Sequence, residues 1–111
     1  MEGCMRLARL GLLYKIMMVI SVSAAVAEGD VVTGEEIARE FCVRCHNVEP
    51  DGPFKEHPPS FAAIAVYRSK EQIYGRIMYP PLHAAMPQLG HMLAPDNVEH
   101  LIAYIRSLEA R

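Results

Sequence analysis

Cysteine is scarce in this chain: three occur in 111 residues, at positions 4, 42 and 45. A disulfide framework of the kind that staples small secreted domains is therefore excluded. Basic residues do not exceed acidic ones, eleven against thirteen, for a formal charge of −2. That balance lacks the basic footprint of a nucleic-acid binder. Internal repeats are absent, and no segment shows the alternation of a half-buried strand. No uncharged apolar run reaches the ~20 residues of a spanning helix. The stretch after Lys15 ends at Ala27, well short of that length.

What is present is unevenly distributed. Arg6, Arg9 and Lys15 precede the apolar run Ile16 to Ala27, which closes on Ala25-Val26-Ala27 directly before Glu28-Gly29-Asp30. This order predicts a signal peptide over residues 1–27, cleaved after Ala27, and export to the periplasm. An uncleaved membrane anchor is the alternative; Cys4 lies before the apolar run, not after it, which argues against a lipoprotein. The domain is then residues 28–111, with eight basic and twelve acidic residues and a balance of −4. Neither nucleic acid nor anionic lipid suits such a surface. A domain this small gains from a staple or a cofactor in its core.

Cys42-Val43-Arg44-Cys45-His46 is a C-x-x-C-H sequence, the pattern of covalent haem c attachment. On a helix, residues three apart share a face, so two thiols at that spacing can bond one edge of a porphyrin. The following His46 then offers an imidazole nitrogen to the iron. A thioredoxin-like disulfide would need a βαβ context, which the sequence lacks. A zinc site would need a second close Cys or His pair, whereas His57, His83, His91 and His100 are scattered.

Around the motif the chain reads as all-α. Thr33 with Glu36 forms a candidate capping box for a helix leading through Ile37, Ala38 and Phe41 into Cys42. Pro50, Asp51-Gly52-Pro53 and Pro58-Pro59 mark a loop. Ser60 to Ala65 predicts a short helix with Phe61, Ile64 and Ala65 inward. Ser69, with Gln72 three residues on, starts another helix that carries Ile73, Tyr74, Ile77 and Met78 and stops before Pro80-Pro81. An extended loop to Leu93 follows. The last helix spans Pro95 to Leu108, where Val98, Leu101, Ile102, Ile105 and Leu108 form one apolar stripe. Pro95 suits the first helical position, although Ala94 is a poor cap.

With these residues in place, the chain resembles the class I cytochromes c, in particular small single-haem bacterial ones, over about residues 31–108. The resemblance rests on Gly34 ahead of the haem motif, Pro58-Pro59-Ser60-Phe61, His83-Ala84-Ala85-Met86-Pro87, and the ending Leu101 to Leu108. It implies three to four helices wrapped around one covalently attached haem, with Gly34 letting the first and last helices approach and Leu101 and Tyr104 meeting them. It also implies that Pro59 and Phe61 belong to the haem surroundings, with Pro58 or Pro59 offering a carbonyl to His46. The aromatic residue usual four positions before the first cysteine is Ala38 here, which leaves Phe41 or Ile37 to fill its volume. The chain contains no Trp, so a common partner of a haem propionate is missing and Tyr74 or Tyr79 is left to replace it.

The motif assigns His46 to one side of the iron. Met86, in a loop, followed by Pro87, and matching the family's Met-Pro, is the expected ligand on the other side. Met78 reads as a core filler and Met92 lies too near the last helix; His83 is the rival, which would give bis-His ligation. His57, His91 and His100 are expected at the solvated surface. The expectation is an electron-transfer protein cycling Fe(III)/Fe(II), not an enzyme in itself, that meets redox partner proteins transiently. The alternative is a haem subunit serving as a fixed relay of a periplasmic dehydrogenase or oxidase complex. Only Lys55 and Lys70 remain after residue 27, so the expected partners have a basic face or a mainly apolar contact.

Overall fold

The computed structural model describes residues 28–82 and 85–109. The signal-peptide reading of residues 1–27 and the candidate ligand His83 lie outside the described residues. Among them the secondary structure is helical: α1 (Val31–Ile37), continued by a π-helical turn (Ala38–Cys42), α2 (Phe61–Tyr67), α3 (Lys70–Met78), a 3₁₀ turn (Leu89–His91) and α4 (Pro95–Ser107). An isolated bridge between Glu56 and Pro59 is the one piece of β pairing described.

The start of α1 differs from expectation. Asp30, in extended conformation, is the N-cap, and its carboxylate accepts the Thr33 N–H at 2.7 Å. Thr33 is therefore inside the first turn and does not cap it, and Glu35 and Glu36 lie beyond that turn. A distant partner adds to this cap: the Asp30 backbone N–H donates to Nδ1 of His100 at 2.7 Å, and the helix starts three residues earlier than a cap at Thr33 would set it. His100 is thus a structural acceptor, not a free surface residue, whereas His57 and His91 are exposed as expected.

The other helices start as their residues dictate. Ser60 caps α2 by accepting the Ala63 N–H at 3.2 Å. Ser69 and Gln72 form the full reciprocal capping box at α3. Pro95 opens α4 behind an Ala94 that gives no side-chain cap. Arg106 of α4 donates to the Ala65 and Arg68 carbonyls at the end of α2, at 2.8 and 3.3 Å. Lys70 pairs with Glu99 at 2.7 Å and ties α3 to α4.

The core lies along α4, whose Val98, Leu101, Ile102, Tyr104 and Ile105 are all buried, with Leu108 at its C-cap. The most extensive helix pairing is α1 against α4. A Cβ at Gly34 would overlap the His100 carbonyl and lie 2.8 Å from Cβ of Tyr104, so the two backbones touch there. Ala38 is fully buried one turn on, and both Ile37 and Phe41 pack on the core. The small residue at 38 is thus accommodated by two neighbours. The loop to Leu93 is not simply extended: its 3₁₀ turn buries Leu89, and Leu93 follows it into the core.

The crossing yields a direct expectation. Gly34→Ala must push backbone against backbone, and overpacking of this kind costs about 3 kcal/mol. Urea unfolding should show a lowered midpoint with an unchanged slope.

Candidate cofactor site

The C-x-x-C-H segment does not continue α1 as a regular helix. The α-helix gives way to the π-helical turn, and residues 43–45 form a turn, closed by Cys45 N–H and His46 N–H donating to the Cys42 carbonyl at 3.1 and 2.9 Å. A π-turn inserted into a helix re-aims side chains and recurs at functional sites. Here Cys42 is buried in the core and Cys45 is exposed. The two thiols are not joined to each other. Burial pushes the Cys42 thiol up to about 11. At neutral pH it is therefore a protonated, apolar neighbour of the core, not a thiolate of the kind that drives thiol–disulfide exchange.

His46 follows at the mouth of the turn, partly buried. Its Nδ1 stands 2.6 Å from the Pro59 carbonyl oxygen. A carbonyl only accepts, so Nδ1 carries the proton and the Nε2 lone pair is left to bind a metal. Of the two prolines considered, Pro59 is the one that supplies the oxygen. Phe61 packs against the imidazole with ring centroids 5.7 Å apart, and Tyr104 lies behind Phe61 at 6.3 Å. The His57–Pro58 peptide bond in the approaching loop is cis.

The rest of the surround is tied down by polar contacts that sequence reasoning did not find. Phe61 N–H donates to the Asn47 carbonyl at 2.9 Å, and the Tyr104 hydroxyl donates to the Val48 carbonyl at 2.7 Å. Val48 is itself buried. Arg39 spans Glu35 on α1 and Glu49 beyond the motif; these two carboxylates, Glu35 foremost, raise its already high pKa further. Ser60 serves twice, accepting the Lys55 N–H at 3.3 Å as well as capping α2. The Ser60 cap carried a sequence signal, a Ser directly before an apolar helix, and Glu35 with Arg39 stands at i,i+4 spacing; the Asn47–Phe61, Val48–Tyr104 and Arg39–Glu49 contacts join residues too far apart in the chain for a local pattern.

Met86 is partly buried and packs against the same apolar cluster that holds Cys42 and Phe61. Met78 also packs there from α3, while Met92 is 64% exposed at the end of the 3₁₀ turn. Tyr74 packs on the core, and Tyr79 stands exposed. The structure thus brings Cys42, Phe61 and Met86 to one cluster and joins His46 to Pro59 and Phe61, with Cys45 at the surface. Among the described residues, no three His, Cys, Asp or Glu side chains gather as a site for a bare metal ion. The donor set fits a porphyrin instead: two unbridged thiols three residues apart, one imidazole with a single free nitrogen, and a thioether on the shared core.

Comparison with known proteins decides the family. The family described as cytochrome c oxidase, cbb3-type, subunit III matches residues 29–105. The chain belongs to that family. It is a c-type cytochrome with the all-α fold of that class, and covalently bound haem c is its cofactor. Cytochrome c2 from Pararhodospirillum photometricum is 35% identical to it over 63 residues, which is 57% of this chain and 53% of the relative. The chain thus spans about half the length of the curated relative that it matches. No solved structure matches it. Cytochromes of this kind carry electrons on haem and exchange them with redox partners.

The double use of Ser60 leads to a prediction. Ser60→Ala removes a buried cap and leaves the Lys55 N–H without its acceptor, a loss of about 1–2 kcal/mol. Thermal unfolding should register it, and because Ser60 adjoins Pro59, the variant should also broaden the His46 ring resonances relative to the parent.

Proposed function

We propose that the chain is an exported electron carrier, residues 28–111 forming the working domain, with one haem c bonded through Cys42 and Cys45 and its iron held between Nε2 of His46 and the sulfur of Met86. The observation that carries this reading is the 2.6 Å contact of His46 Nδ1 with the Pro59 carbonyl. It leaves one ring nitrogen for iron, beside two cysteines not spent on each other. Bound there, the haem supplies a one-electron Fe(III)/Fe(II) couple.

The residues do the rest. Pro59 fixes the His46 tautomer and aims its ring. Phe61 blocks rotation of that ring from the side. Met86, a soft thioether donor, favours the reduced iron and raises the potential, where a histidine such as His83 would lower it. Pro87 restrains the backbone directly after the ligand. With a protein ligand on each side, exogenous molecules are kept from the iron, which suits transfer of electrons and not chemistry on a substrate. Periplasmic location rests on the sequence of residues 1–27; among the described residues, no helix is long and apolar enough to cross a membrane.

The partner surface follows from charge. Lys70 is engaged with Glu99, and the chain retains little free lysine with which to approach an acidic partner. A partner with a basic face, or a mainly apolar contact, fits better; such redox contacts are small and transient. The fixed-relay reading has one observation in its favour, the oxidase subunit named in the family's description. Copurification of a larger catalytic chain with the native protein would establish it.

Two measurements test the proposal. Mass spectrometry of protein made with the haem-attachment machinery should show residues 28–111 plus one haem, and no gain in mass would refute it. In the ferric spectrum, Met86→Ala should abolish the weak long-wavelength band of sulfur-ligated haem and let carbon monoxide bind the reduced protein rapidly; retention of that band would pass the ligand role to another residue. For the partner surface, the rate of reduction by a basic redox protein should fall as salt rises through the range where the Debye length drops to about 10 Å and below.

A further inference from the structure

Besides their local bonds, residues 46, 47 and 48 each make one bond to a part of the fold more than ten residues away, at two different places. His46 Nδ1–H meets the Pro59 carbonyl at 2.6 Å, and the Asn47 carbonyl accepts Phe61 N–H at 2.9 Å. Both bonds join this segment to the entrance of α2. The third does not: the Val48 carbonyl accepts the hydroxyl of Tyr104, on α4, at 2.7 Å. Val48 and Tyr104 are 1% and 2% exposed, so water cannot replace that bond if it is lost. The Tyr104 ring also backs Phe61, which backs His46.

The geometry points to Tyr104 as a positioning residue that tunes the iron through His46. Its hydroxyl holds Val48, Val48 holds the frame of His46, and that frame sets the length of the bond from Nδ1 to Pro59. A short bond there gives the imidazole more anionic character and makes it a stronger donor toward ferric iron. Releasing Val48 lets the 46–48 segment drift toward solvent or toward a new donor, because a buried carbonyl without a partner is costly. The Nδ1–H to Pro59 bond then lengthens, His46 donates less, and the ferric state is less favoured. The inference rests on His46 as the iron ligand, as proposed above, and extends it to α4.

Tyr104→Phe is the test, since it keeps the ring against Phe61 and removes only the hydroxyl. In the reduced, haem-loaded protein, proton NMR should show the His46 Nδ1–H resonance moved upfield and its exchange with solvent accelerated several-fold. The midpoint potential should move upward. Ile105→Val, on the same helix but with no bond to residues 46–48, serves as the control: it should lower stability and leave the His46 resonance in place. An unmoved resonance and potential in Tyr104→Phe, or the same movement in Ile105→Val, overturns the inference. If Tyr104→Phe fails to mature, a fluorinated tyrosine placed at 104 keeps the ring and the bond but strengthens the donor. It should slow Nδ1–H exchange, and an unchanged rate overturns the inference as well. Absence of any haem-shifted imidazole signal in the parent protein would instead remove His46 as ligand, a distinguishable failure.

Discussion

Backbone contact between α1 and α4 at Gly34 governs how close everything else can come. With no side chain at 34, the His100 and Tyr104 turns of α4 lie directly on α1. That closeness puts the His100 ring within reach of the Asp30 N–H, 70 residues away in sequence. The same approach brings the Tyr104 hydroxyl through the core to the Val48 carbonyl. A Cβ at 34 would press on the same His100 and Tyr104 turns that carry both polar contacts. The crossing is therefore a packing feature that also supports the polar frame of the proposed haem site.

The second constraint is the transition from α-helix to π-turn at Ala38–Cys42. A continuing α-helix would carry the Cys42 and Cys45 thiols along one face. The turn instead buries Cys42 in the core and leaves Cys45 at the surface, so that haem held by both would be bonded through one buried and one exposed thiol. Arg39 holds this irregular stretch from outside, reaching back to Glu35 and forward to Glu49. Exposed ion pairs contribute little stability; here the pairs act as a geometric strap across the motif.

Much of the helical layout was legible in the residues. The apolar spacing of Val98, Leu101, Ile102 and Ile105 located α4 and its buried face, because a 3.6-residue period is set by local geometry alone. Ser69 with Gln72 announced α3 for the same reason. The start of α1 departs from the expected box because Asp30 takes the cap with its own carboxylate, reinforced by a bond to His100 that no local pattern connects to it. Leu89 and Leu93 were read as loop because a 3₁₀ turn has no apolar period long enough to detect. At the site, Cys42, Cys45 and His46 stood out by spacing and Pro58 or Pro59 by the family resemblance, whereas Asn47, Val48 and the hydroxyl of Tyr104 did not. Backbone carbonyls are the same at every residue, so a sequence cannot say which of them needs a donor.

These contacts also bear on what electron transfer demands of the protein. A carrier is fast when its ligands occupy the same positions in both oxidation states, since each atom that must move adds to the barrier. A flexible loop would let the proposed ligand His46 follow the charge on the iron. Residues 46–48 are instead anchored to α2 and α4 by three bonds of 2.6–2.9 Å, two of them accepted by main-chain carbonyls of the segment itself. Because α2 and α4 are further joined by Arg106, the anchors cannot shift independently. A rigid frame spread over two helices resists the displacement that a change of charge would otherwise cause. In the proposed carrier, these three contacts lie where motion would slow the electron most.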